Sequence, residues 1–217
     1  MVRNYIIARY LFFKWRYSLS LTKKIVLSFG MAFITGIMAQ IKISLPFTPV
    51  PITCQTFAVL ISGVLLGKYW GGISQLVYVI LGISGIPWFA GATGGYNILF
   101  GSTGGYLIGF IFAASFLGYF TDKYIRARNF LPMFCLMLFA NFFLIYIPGL
   151  IQLKIWLSMI KGEKITLIYL FNMGLFPFIP GDILKIIIAS LFTKIVTPKE
   201  SFNGEVDIEE AKKFRIF

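Results

Sequence analysis

The segment Gln55-Thr56-Phe57-Ala58-Val59-Leu60-Ile61-Ser62-Gly63-Val64-Leu65-Leu66-Gly67-Lys68-Tyr69-Trp70-Gly71-Gly72 decides the fold. Its apolar run leaves no face for water, which marks a helix buried all round or set in lipid, and it breaks only at Gly67 and Lys68 before a second apolar run begins. The segment lies within a longer interval, Ile25 to Thr121, whose only charged residues are Lys42 and Lys68. Of the 217 residues 58% are hydrophobic and 13% charged, against about 25% charged in a soluble chain. That is too little charge to cover a water-facing surface. A membrane-crossing helix takes about 20 residues, so the chain is expected to be an all-α integral membrane protein. The expected form is a six-transmembrane-helix bundle with a Gly-rich outer loop and a partial helix before the last span, leaving no room for a large soluble catalytic domain.

Working outward, segment one is expected over about Ile25 to Ile41, ending at Lys42 and the Pro46, Pro49, Pro51 cluster, where fixed φ and missing donors stop a helix. Segment two runs from Ile52 to Leu66. Gly67, Lys68 and the Gly71-Gly72 pair make the next turn, and segment three continues to about Ser84. Segment four spans about Gly105 to Phe120, segment five about Pro132 to Leu153 and segment six Ile183 to Val196. The stretch Ile165 to Ile179 is apolar but short of a span and closes on Pro177 and Pro180, so a partial or re-entrant helix is expected there. The organisation is thus a basic and aromatic segment over 1–24, suited to a helix in the headgroup plane rather than a signal peptide, a membrane domain over 25–196, and a charged tail over 197–217, within which the mixed-charge stretch Glu200 to Phe217 is expected to form a short surface helix.

The net charge is +12. In a soluble chain this would suggest nucleic acid, but here the cations cluster at the ends of apolar runs and are expected to act as topology signals and as contacts to the headgroups of the lipid bilayer. Placing the N-terminus in the cytoplasm puts fifteen Lys and Arg on that side and four on the other, with Lys185 inside a span, so both termini are expected inside. Cys54 and Cys135 lie in apolar stretches and the chain has no His, which argues against a disulfide scaffold, a zinc site or a His-dependent triad.

Few residues remain for chemistry. The loop after segment three holds a near-repeat, Gly91-Ala92-Thr93-Gly94-Gly95-Tyr96 and Gly101-Ser102-Thr103-Gly104-Gly105-Tyr106. It lacks the lysine and preceding strand of a phosphate loop. It could be a tight turn with glycine-mediated helix contacts, or a cradle closing over a neutral or weakly charged organic molecule. Asp182 and Lys185, spaced three apart at the start of segment six, share a helix face. Asp182 could simply complement the helix dipole, yet ionisable groups in a membrane tend to line sites. A carboxylate and an ammonium together suit a ligand that both donates N–H bonds and carries a carboxylate or carbonyl. Gln40, Gln55, Gln75, Asn97 and Asn141 also interrupt the apolar runs. Each could bond a neighbouring helix, and Gln55 and Asn97, close to the outer loops, are the better ligand candidates. Ser28, Ala32 and Gly36 give segment one a smooth face, suited either to packing within the bundle or to docking on another protein.

The run Pro46-Phe47-Thr48-Pro49-Val50-Pro51-Ile52-Thr53-Cys54-Gln55-Thr56, with Gly63 to Gly67, Phe89-Ala90-Gly91, Gly104-Gly105-Tyr106-Leu107 and Pro180-Gly181-Asp182-Ile183-Leu184-Lys185, resembles the BioY family over about residues 25 to 196. Its members are biotin-binding substrate subunits, or S components, of energy-coupling factor (ECF) transporters. The resemblance implies a protein that captures biotin at the outer face, is not an enzyme and binds no cofactor of its own. It would work with a transmembrane T component and two ATP-binding cassette ATPases that use ATP. It also implies a ligand site drawn from Asp182, Lys185, Asn97, Gln55, Gly94, Gly95 and Tyr106, with Asp182 accepting from the ureido N–H groups, and a partner-docking face at Ser28, Ala32 and Gly36. An S component for thiamine or riboflavin is one alternative, and an intramembrane enzyme relying on Asp182 and Lys185 is another.

Overall fold

The computed structural model describes residues 2–162 and 164–209. Of the tail helix expected over Glu200 to Phe217, residues 200–207 form bends and turns instead, 208 and 209 are helical, and 210–217 lie outside the described residues. The elements in chain order are α1 (Val2–Ser18), α2 (Leu21–Gln40), a two-strand ribbon of β1 (Lys42–Ile43) and β2 (Ile52–Thr53), α3 (Gln55–Ile83), α4 (Tyr96–Leu99) and α5 (Gly104–Lys123). Then come a short 3-10 turn (Arg126–Arg128), α6 (Phe130–Phe139), a π-helical stretch (Ala140–Ile145), α7 (Tyr146–Lys161), α8 (Leu167–Gly174), a second 3-10 turn (Phe176–Phe178) and α9 (Ile179–Val196). Among the described residues five segments are long and apolar enough to cross a membrane: Leu21–Gln40, Gln55–Ile83, Gly104–Lys123, Phe130–Ile160 and Leu167–Val196.

The second of these is a hairpin. Gly67 has φ 84° and ψ −177°, a backbone region essentially confined to glycine, and there the chain doubles back. Gln55 Nε2 donates to Tyr78 Oη at 2.7 Å although the two are 23 residues apart, a separation of about 35 Å in a straight helix. The arms approach so closely that a Cβ on Gly71 would lie 2.7 Å from the Gly63 Cα. Six spans were expected; the structure has five such segments, one of them folded into two arms.

Lipid tails are as apolar as leucine, so burial alone does not drive helices together in a membrane; close packing and polar contacts do. Large side chains therefore sit on both sides of the helices. Leu60, Leu117, Met133, Met137, Ile145 and Ile186 fill the interior, while Phe29, Phe33 and Ile37 of α2 and Ile188, Leu191 and Ile195 of α9 face outward. Small residues take the seams. A Cβ on Gly63 would meet the Ala114 backbone, and one on Gly118 would meet Gly67 and Lys68, which sets α5 directly along the hairpin.

Three expectations need correction. Segment five extends through α7 to Lys161 rather than ending near Leu153, and it contains the π-helical stretch. Pro148 explains the change of winding, because it cannot donate to the carbonyl four residues earlier. Segment six begins at Ile179, and the partial helix is the eight-residue α8 joined to it by the 3-10 turn. Ser28, Ala32 and Gly36 are buried within the bundle and offer no docking face. Ser28 Oγ donates to the Trp70 carbonyl at 3.3 Å, and Gly36 abuts Trp88. The small-residue stripe serves the contact of α2 with α3 and with Trp88 of the loop after it, which leaves the bulky outward side of α2 for lipid.

One end of the bundle is basic and closed by both terminal regions. The Arg16 guanidinium donates to the carbonyls of Val64 and Leu65 and pairs with Asp122. Arg128 is fully buried, donates to Thr121 O at 2.9 Å and pairs with Glu205 at 2.5 Å. Asp207 accepts from the backbone N–H groups of Ile125 and Arg126 at 2.7 and 2.9 Å. Lys199 donates to the Arg128 carbonyl. Burial, with Arg9, Arg128 and Lys194 nearby, pushes Lys199 down to about 7.

Two outcomes follow. Gly67→Val forces a Cβ branch into the Asp122 carboxylate and a disfavoured φ, and is expected to cost about 1–3 kcal/mol or more, read as a fall in thermal midpoint in detergent. An unfolded chain holds the Lys199 proton up to its ordinary value, so stability is expected to rise as pH increases from about 7 towards 10. Lys199→Met should flatten that rise; a slope unchanged by the substitution would contradict the assignment.

Candidate functional site

At the end opposite the basic closure lies a cavity of about 320 Å³, within the range of small-molecule sites. Its floor is the first turn of α9. Pro180 starts that helix without needing a donor, and Asp182 falls in its first turn, where a carboxylate complements the dipole. Lys185, one turn on, pairs with Asp182 Oδ1 at 2.5 Å. The Lys185 ammonium also donates to the Thr53 carbonyl at 2.9 Å and to Thr56 Oγ1 at 2.7 Å, so its three protons tie α9 to the root of the proline loop and to α3.

Asp182 is 3% exposed, and its second oxygen accepts from Tyr146 Oη at 2.5 Å and Asn141 Nδ2 at 2.9 Å. In a regular α-helix two residues five apart lie about 140° apart around the axis. The π-helical stretch has i→i+5 bonding, and this wider winding brings Asn141 and Tyr146 onto the same carboxylate oxygen. Asn141 is fully buried, and its Oδ1 has no hydrogen-bond partner.

The walls are aromatic and the roof is loop. Phe89, Tyr106, Phe110, Tyr146 and Phe178 border the cavity. Tyr106 and Tyr146 meet edge to face at 5.5 Å, and Tyr106 Oη donates to the Gly174 carbonyl at 2.9 Å, which fixes its ring. The proline loop is pinned by Thr48 Oγ1 donating to the Met173 carbonyl at 2.5 Å and by the β1–β2 pairing of Lys42 with Thr53. Gln40 organises the loop beside it, donating to the carbonyls of Trp88 and Phe89 and accepting from the Ala92 N–H at 2.8 Å. The result is an apolar, aromatic enclosure with one ion pair at its base. It can orient a compact organic molecule through a small patch of N–H and C=O groups while its remainder meets rings. Among the described residues no cluster of His, Cys, Asp and Glu is arranged to hold a metal ion.

The sequence candidates divide. Asp182, Lys185, Gln55 and Tyr106 border the cavity; Asn97, Gly94 and Gly95 do not. Asn97 sits exposed on the four-residue α4, whose Ile98 faces the cavity instead. Gly94 packs against the Ile86 carbonyl and serves the loop's own turn, as does Gly95 at φ 100°. Gln55 is committed at both ends, to Tyr78 Oη and to Thr53 Oγ1 at 2.9 Å. Asn141, Tyr146, Thr53 and Thr56 were missed. Thr53 and Thr56 flank Gln55 in the proline-rich run, and Asn141 was visible as an amide in an apolar segment. What could not be read was the π-helical winding that aims it at Asp182.

Comparison with known proteins agrees on one family. The model of the BioY family matches residues 11–201. A probable biotin transporter BioY of Methanothermobacter thermautotrophicus is 55% identical over 155 residues, covering 71% of this chain and 99% of that protein. The biotin transporter BioY of Thermotoga maritima is 34% identical, covering 69% and 82%. A crystal structure of the S-component for biotin from an ECF-type ABC transporter superposes with a TM-score of 0.70 at 27% identity, covering 81% of this chain and 93% of that one.

Removing one partner of a buried ion pair leaves the other unpaired, at about 3–5 kcal/mol. Lys185→Met is therefore expected to destabilise the fold by that amount in detergent unfolding. The double change Lys185→Met with Asp182→Asn should recover part of the loss. Purely additive effects would show that the two groups do not interact.

Proposed function

Because this chain belongs to the BioY family, we propose that the cavity above α9 is a biotin site and that the chain works as the substrate-binding S component of an ECF-type transporter. It is a multi-pass membrane transport protein. The observation that carries the reading is the buried Asp182–Lys185 pair at the base of an aromatic cavity of about 320 Å³. Biotin presents a cyclic urea with adjacent N–H donors and a carbonyl acceptor, a thioether ring and an acid tail. The ureido N–H groups would donate to Asp182 and the ureido oxygen would accept from Lys185. The bicycle would lie against Tyr106, Phe110 and Tyr146, and the tail would run towards Lys42 and Ser44 at the mouth.

Each step asks the chain's residues only to bind and orient. Asp182 is held by Tyr146 and Asn141, so it presents its remaining acceptor capacity without reorganising. Lys185 already donates to Thr53 and Thr56 and would exchange one of these for the ligand, coupling occupancy to the root of the proline loop. Asn97, Gly94 and Gly95 enter this proposal only through closure of the Gly-rich loop over a bound ligand, since they lie off the wall in the present arrangement. The positive residues at the basic end support an orientation with both termini in the cytoplasm and the cavity at the outer face. The chain would bind no cofactor. ATP would be used by two ATP-binding cassette ATPases acting through a transmembrane T component, whose docking surface on this chain lies elsewhere than Ser28, Ala32 and Gly36.

Calorimetric titration of the detergent-purified protein with biotin, and in parallel with thiamine and riboflavin, tests this. One-to-one binding of biotin alone, without ATP, is the expected result. Asp182→Asn should weaken it by about 1.5–3 kcal/mol, the range for losing a hydrogen bond to a charged group. Folded protein that ignores biotin, or a variant with unchanged affinity, would remove the assignment.

A further inference from the structure

A second cavity, about 420 Å³, opens at the basic end of the bundle between α1, α2, the α3 reversal, the end of α5 and the 203–206 segment. Four cations border it, Arg16, Lys24, Lys68 and Lys123, against one carboxylate, Asp122. Both Asp122 oxygens are engaged, one by the Arg16 guanidinium and the other by the Lys68 backbone N–H at 3.1 Å. Among the described residues Lys24, Lys68 and Lys123 therefore have no carboxylate partner.

The three ammonium groups are nevertheless held in place. Lys68 Nζ lies 5.0 Å from the Tyr69 ring centre and 5.3 Å from that of Tyr119. Lys123 Nζ lies 5.1 Å from the same Tyr119 ring and donates to its hydroxyl at 2.9 Å. Lys24 Nζ donates to the Tyr17 carbonyl at 3.2 Å. Two like charges are thus gathered on one aromatic ring, an arrangement whose repulsion an anion between them would relieve. The rest of the wall is apolar and aromatic, with Leu27, Leu66 and Trp70 where the spans emerge. A compact, multiply acceptor-bearing anion with an apolar attachment matches both halves, since ammonium groups bind phosphate as point charges.

We propose that this cavity is a binding site for a phosphate-bearing anion, with Lys24, Lys68 and Lys123 as its ligands, and that an anionic phospholipid headgroup at the membrane boundary supplies it. It is independent of the biotin site and lies at the opposite end of the bundle.

The test is native mass spectrometry and thermal unfolding of protein in a neutral detergent, with added phosphatidylglycerol, phosphatidylcholine or inorganic phosphate. The expected result is retention of phosphatidylglycerol over phosphatidylcholine. Apparent affinity should fall by about 10-fold or more in the K24Q/K68Q/K123Q variant, the order expected for losing several lysine contacts with an anionic headgroup. A control with the same charge loss elsewhere on the chain, K14Q/K23Q/K194Q, should bind as the parent does. Biotin titration of each variant reports its folding, and single K68Q serves if the triple variant fails to fold. Protection by inorganic phosphate that is lost in the same triple variant would assign the site to the free anion. Equal retention of the two lipids without phosphate protection, or equal losses in the two triple variants, would overturn the proposal.

Discussion

A single buried carboxylate organises the half of this protein that lies away from the basic end. Asp182 is almost fully removed from solvent, and an unpaired charge in that setting costs several kcal/mol. Its satisfaction recruits Lys185 from its own helix and Tyr146 and Asn141 from the rod opposite. Through Lys185 it also reaches Thr53 below the proline loop and Thr56 on α3. Three separate stretches of chain thus converge because one group must be compensated. The cavity is the space left above that point of convergence.

The requirement also explains the irregular elements. The π-helical winding serves to aim two side chains, and the break between α8 and α9 places Pro180 and Asp182 at a helix start inside the bundle rather than at its margin. Non-helical backbone is tolerated at membrane depth only where protein or a cavity covers it. Here the proline loop, the Gly-rich loop and the 3-10 turn crowd around one cavity and cover one another. Thr48 reaches Met173, and Tyr106 reaches Gly174.

Much of this was legible in the sequence, because charge scarcity and the Gly and Pro breaks are direct physical signals. The reversal at Gly67 was readable from Gly67-Lys68 and the following glycines, and Pro180-Gly181-Asp182 announced the start of the last helix. The site was legible only where chemistry is carried by charge, at Asp182 and Lys185. Neutral groups were harder. Asn97 and Asn141 look alike in sequence, and only the backbone decides that one faces outward from a short helix while the other meets a carboxylate. The stripe of Ser28, Ala32 and Gly36 misled for a related reason, since a smooth face states that something approaches closely but not what. In the structure the approaching groups are α3 at Ser28 and Trp88 of the loop that follows it at Gly36.

The ion pair between Arg16 and Asp122 spans 106 residues of sequence. During synthesis at about 5–20 residues per second, Arg16 therefore leaves the ribosome several seconds before the carboxylate that receives it exists. The carbonyls of Val64 and Leu65 become available first, when the hairpin forms. The Arg16 guanidinium can therefore be held by the hairpin alone before α5 exists, and its set of partners is complete only when Asp122 and the Phe202 ring have also been made. A guanidinium at position 16 thus depends on groups made along nearly the whole length of the sequence.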